Sequence, residues 1–153
     1  MAGSQTEPEA AVPPGYVLVP VPEELVARVG HEVMRLQWMA QGVAQPWPLE
    51  AIVDLLVAAD ELVSNLVRNA ARAEVQQRTL DDVELAQHLD ISTRELAGII
   101  REVNDSGPTG VLDLVVLHRE HGAGEVVREV RMIGEHARRV EEAVAIARRR
   151  RAR

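Results

Sequence analysis

Thr93, Arg94, Gly98 and Arg101 share one short amphipathic stretch of the chain. Guanidinium groups fit guanine edges and phosphates, and a Thr hydroxyl donates to a phosphate oxygen. The chemistry open to this set is recognition of nucleic acid. It needs a helix that turns these residues outward and offers its N-terminal half to a major groove.

A helix-turn-helix at about residues 79–103 would position them. Two short helices that cross over a tight turn need a small residue at their contact and apolar residues on both inner faces. Ala86 is the small residue, Leu85 and Leu89 face inward from the first helix, and Ile91 plugs the turn. Ser92 caps the second helix, which runs from Thr93 to about Val103 with Leu96 and Ile99 inward. Asp90 stands where many such turns have Gly, and Asp tolerates the left-handed conformation better than most residues. Thr79 is placed to cap the first helix, with Asp82 where a capping box has Glu or Gln. Thr93, Arg94, Ala97, Gly98 and Arg101 then point outward.

Two alternating runs follow, 112–117 and 126–132, joined by His121-Gly122-Ala123-Gly124 as a hairpin loop. Helix, turn, helix and a two-stranded ribbon over 111–132 is the order of a winged helix. His118, Arg119, Arg128 and Arg131 on the ribbon could touch DNA backbone or minor groove. A last helix starts near Glu135, with Ala137, Val140, Val144 and Ala147 on one side. It runs into five Arg in the six residues 148–153. Arg148, Arg149, Arg150 and Arg151 are candidate phosphate clamps, or contacts to an acidic partner.

Upstream, residues 1–15 hold three Pro and little to bury, and read as a disordered tail. Residues 16–21 have strand composition, but Pro20 limits them to a short or edge strand. Pro22, Glu23 and Glu24 open a helix that ends near Gln41 and Gly42, with Leu25, Val29, Val33, Leu36 and Met34 as its apolar stripe. A long helix is expected from about Leu49 to Ala73, with Ile52, Leu55, Leu56, Ala59, Leu62, Val63 and Leu66 at helical spacing. It would be the core spine or a dimer seam. The fold class expected is mainly α with a small β-hairpin, in a single domain over 16–147.

Composition narrows the function classes. The chain has no Cys, which excludes disulfides and thiolate metal sites. No apolar run is long enough to cross a bilayer, and the acidic start is the wrong chemistry for a secretory signal, so a cytoplasmic protein is expected. All 17 basic residues are Arg and Phe is absent, a usage that suggests a high-GC bacterium or its phage. The formal charge of −7 argues against a non-specific polyanion binder. Within 78–105, Arg78, Arg94 and Arg101 face Asp81, Asp82, Glu84, Asp90, Glu95, Glu102 and Asp105. Two readings stay open: a dimeric DNA-binding regulator, or an interaction or assembly protein, such as a phage structural or packaging component, that uses the helix-turn-helix as scaffold.

Other groups carry less. His118 and His121 lack further nearby ligands and read as exposed loop histidines. Residues 60–68 resemble the Mg²⁺-binding helix of histidine-kinase and anti-sigma-factor ATPases, with Glu61 and Asn65 on one face. The strands and glycine-rich lid that such a site requires are missing, so these residues read as a solvated face. No Ser-His-Asp set or Gly-rich phosphate loop is recognisable, and neither an enzyme nor a cofactor is expected.

Several stretches together resemble a group of small actinobacterial and actinophage proteins that pair a V-P-V-P-E-E-x-V segment with a helix-turn-helix. The matching pieces are 16–26, 47–52, 83–99 and Val130-Arg131-Met132 leading into Glu135, Ala137 and Val140. The resemblance covers most of 16–145 and implies a winged-helix-like domain. It implies no particular ligand or reaction.

Overall fold

The computed structural model describes residues 12–121 and 126–153, with the side chains of 119–121 and 126–127 left aside. A 3-10 turn at Glu23–Leu25 leads into α1, Val26–Ala40. Then come α2 (Leu49–Ala58), α3 (Glu61–Val75), α4 (Asp82–Leu89) and α5 (Thr93–Asp105). The antiparallel strands β1 (Val116–His121) and β2 (Val126–Arg131) and the helix α6 (Gly134–Arg151) complete the order. The architecture is mainly helical with one β-hairpin, as the sequence implies. Residues 1–11 of the expected tail and 122–124 of the expected hairpin loop lie outside the described residues.

α6 packs along both α2 and α3 and forms the centre of the core. Ile52 and Leu56 from α2, Leu66, Val67 and Ala70 from α3, and Ala137, Val140 and Ala143 from α6 are buried together. The expected long helix is two helices. Ala59 and Asp60 are extended, and the Asp60 carboxylate accepts from the Val63 N–H at 2.9 Å. A side chain that caps a new helix competes with continuation of the old one, which is why the apolar periodicity ran through a break it could not register. The most buried faces of α2, α3 and α6 pack against one another inside the chain.

α1 is the reverse case. Its boundaries match the sequence, but none of its residues is buried. Leu25, Val29, Val33 and Leu36 are 40%, 38%, 47% and 51% exposed. The strand expected over 16–21 does not form. Residues 16–19 are exposed, and Pro20 and Pro22 remove donors that a ladder would need.

Two further boundaries shift for tertiary reasons. The first helix of the helix-turn-helix is capped by Asp81, which accepts from the Glu84 N–H at 2.6 Å, and not by Thr79. Leu80 is drawn into the core and its carbonyl accepts from the Val130 N–H at 2.7 Å, so the chain stays extended beside β2 for two more residues. The first ribbon strand begins at Val116 and not at 112. The Asn104 side chain takes the place of a partner strand there. Its Oδ1 accepts from the Leu114 and Val115 N–H groups at 2.9 and 3.1 Å, and its Nδ2 donates to the Val115 carbonyl at 2.8 Å.

Candidate nucleic-acid interface

The turn between α4 and α5 follows the expected chemistry. Asp90 adopts φ 56° and ψ 45°, the left-handed region, and the Ile91 N–H donates to the Ala86 carbonyl at 3.0 Å. Leu85, Ala86 and Leu96 are buried, and Leu89, Ile91 and Ile99 pack against them. Ile100 and Val103 join this inner face, two positions the apolar count left unassigned. Ser92 caps α5 by a reciprocal box. Its hydroxyl accepts from the Glu95 N–H at 3.1 Å, and the Glu95 carboxylate accepts from the Ser92 N–H at 2.8 Å. These bonds hold the Glu95 carboxyl below the usual range. Its charge serves the helix start, which weakens one objection to an anion-binding face. The signal for this role was present as Ser92-Thr93-Arg94-Glu95.

Thr93, Arg94, Gly98 and Arg101 are all exposed on α5. At about 100° per residue, Arg94 and Arg101 fall within roughly 20° of the same helical direction. Glu95 and Glu102 are each one residue further and share a direction roughly 100° away. Glu95 and Glu102 therefore lie on a stripe apart from the arginines, whereas Asp105, four residues after Arg101, falls back on the arginine side. At Gly98 a Cβ would meet nothing within 4 Å, so the helix face is open and its backbone can be approached closely.

Arg101 and the half-buried Arg128 line one groove of about 400 Å³ between α5 and the hairpin. Arg119 is the register partner of Arg128 in the ladder, and its side chain lies outside the described ones. Asp105 and Asp113 line the same groove. Partial burial, and then the Asp105 charge, raise the Asp113 carboxyl above its usual range. That Asp113 faces the arginines is not legible from residue spacing, because it lies beyond the loop at 106–110.

The remaining cations divide. Arg131 is turned to the buried Glu129 and braces the base of the hairpin. His118 is half-buried in β1, not in an exposed loop, with its ring centroid 5.8 Å from that of His31. The arginine-rich end is helical through Arg151. Arg148 and Arg149 are exposed, but Arg150 and Arg151 depart from the expected clamp role. Arg150 pairs with Glu50 at 3.2 Å and lies 3.6 Å from Asp54. Arg151 donates to the carbonyls of Leu56, Val57 and Ala59 at 2.6, 3.2 and 3.0 Å, closing the open end of α2.

A buried polar centre sits behind this surface. The Trp47 N–H donates to His136 Nε2 at 2.8 Å, Arg139 donates to the Trp47 carbonyl at 2.6 Å, and the Trp47 indole donates to the Leu112 carbonyl at 2.8 Å. Burial, and then the charges of Arg139 and Arg35, push the His136 imidazole down to about 4. Gly107 lies so close to the Trp47 ring that a Cβ would come within 2.3 Å of it. The linker before α2 is thus fixed to the loop after α5. No cluster of three metal-ligating side chains occurs among the described residues. No helix among them is long and apolar enough to cross a membrane.

No family model and no curated protein matches the chain. Among solved structures, NadR in complex with 4-hydroxyphenylacetate is similar at 18% identity and a TM-score of 0.44, over 88% of this chain and 82% of that one. MepR, a transcription regulator of the Staphylococcus aureus multidrug efflux pump MepA, is similar at 11% identity and a TM-score of 0.45, over 86% and 81% of the two chains.

Proposed function

We propose that the protein is a DNA-binding regulator that reads a major groove with α5 and acts as a dimer through α1. The observation that carries the first part is the shared direction of Arg94 and Arg101, with Arg128 of the hairpin lining the same groove as Arg101. Arg94 and Arg101 have no acceptor among the described residues, so both guanidinium groups are available to bases or phosphates. Thr93 stands beside the α5 N-terminus, where a phosphate is favoured. Arg119, Arg148 and Arg149 would add backbone contacts.

The exposed α1 stripe supports the second part. An unsupported helix of 15 residues is marginal in water, and one with no buried residue gains little from its own chain. A second copy packed along Leu25, Val29, Val33 and Leu36 would supply the missing burial. Sedimentation velocity should show a dimer for the native chain and a monomer for Val33→Glu. A native monomer at micromolar concentration would remove the dimer.

The DNA reading is tested by selecting fragments from a genomic library and measuring affinity by fluorescence anisotropy. Arg94→Ala or Arg101→Ala should each cost about 1–3 kcal/mol on a selected site if the residue reads a base. Native affinity in both variants would take α5 out of the interface. A second reading, a protein-docking module, is favoured by Asp105 and Asp113 beside Arg101 and Arg128. A stable protein partner that blocks the groove, with no DNA retained at low salt, would establish it instead.

A further inference from the structure

We propose that the cleft between α3 and α6 binds a small phosphomonoester. Buried Ala71 of α3 and Val140 of α6 floor a cleft of about 340 Å³ that the half-buried Val144 of α6 also lines. Its other lining side chains include three guanidinium groups, from Arg68 and Arg72 of α3 and Arg148 of α6. Glu141 lines it too, so three cations stand against one anion on a chain whose net charge is −7.

Some of the other arginines have acceptors. Arg78 has Glu84, Arg139 has the Trp47 carbonyl, Arg150 has Glu50, and Arg151 has the end of α2. Arg68, Arg72 and Arg148 have none among the described residues. Arg68 and Arg72 are also i,i+4 neighbours, a like-charge spacing that destabilises a helix unless something neutralises it. A phosphate dianion does so, and it accepts paired bonds from guanidinium forks. The half-buried Val144 and the aliphatic stems of the arginines offer apolar surface to the organic part of the ester. A cleft of this size suits a small molecule. The cleft is built from residues that the DNA reading does not use, except Arg148, so either can fail alone.

The test is isothermal titration of the full chain at constant ionic strength, with phenyl phosphate and inorganic phosphate as probes. Saturable one-to-one binding is expected, with phenyl phosphate at least about tenfold tighter than inorganic phosphate. The double variant R72Q/R148Q should lose about tenfold or more, and R138Q, an exposed arginine of α6 outside the cleft, should lose nothing. Where the double variant melts early, R72Q and R148Q are read singly, since both side chains are exposed. Absence of saturable phenyl phosphate binding, or an equal loss in R138Q, overturns the proposal. So does one-for-one displacement of phenyl phosphate by duplex DNA, which would make the cleft part of a nucleic-acid surface.

Discussion

α5 and the last turn of α6 both carry arginines on a helix, yet the two sets are employed in opposite ways. On α5, Arg94 and Arg101 are exposed, point in one direction and have no acceptor among the described residues. On α6, Arg150 and Arg151 are closer together in sequence and look more like a polyanion clamp, but they hold α2. Arginine density is therefore a poor guide to which guanidinium groups lack an acceptor among the described residues of this protein. What decides availability is whether a carboxylate or an unsatisfied helix-end carbonyl lies within reach, and that is a property of the packing.

The contrast can be broken by substitution, and the largest effect is expected on α5. Arg94→Ala and Arg101→Ala should lose the affinity stated above while melting within a degree or two of the native chain. Arg151→Ala should do the reverse. Loss of the three carbonyl contacts should cost about 1 kcal/mol in urea unfolding, with affinity for the selected site unchanged. A weakened complex and an unchanged melt for Arg151→Ala would put Arg151 back among the DNA-contacting residues.

A pH series separates the core anchor of α6 from the surface of α5. The folded chain keeps His136 neutral down to about 4, against 6.5 for an ordinary histidine. Between those values the unfolded chain binds more protons, so stability falls as the pH drops. A loss of roughly 1–2 kcal/mol is expected between about pH 7.5 and pH 5.5. The His136→Gln variant, whose side-chain oxygen can accept from the Trp47 N–H, should be less stable at neutral pH and should lose this part of the pH slope. An unchanged slope would show that the imidazole is protonated alike in both states.

The smallest expected effect is at Gly98. Ala fits without a clash and should stabilise α5 by about 0.5–1 kcal/mol, as measured by thermal melting. If DNA approaches the backbone there, the same substitution should weaken binding. A stabilised variant with native affinity would confine recognition to the arginines on either side.

The helix-turn-helix was legible because its rules are local. Ala86, Asp90, Ile91, Ser92 and Leu96 lie within a dozen residues, and each answers a geometric demand made by its near neighbours. Ser92 as the cap of α5 was legible for the same reason, although the return bond to Glu95 and its effect on the charge balance were not drawn from the residues alone. α1 was located correctly, but its stripe gave no indication of whether the chain itself would cover it. Periodicity reports that a face is apolar and does not say what buries it.

Residue order thus fixed the elements whose hydrogen bonds and caps close within a turn or two of helix. Folding in three dimensions decided the rest. Asn104 replaced a strand partner for Leu114 and Val115, ten and eleven residues on. Asp113 came to face Arg101, and Arg151 reached a helix that ends 93 positions earlier, at Ala58. Contacts of that separation depend on where whole helices pack. Local side-chain spacing sets which residues share a face, while the packing sets which of those faces remain open to a ligand.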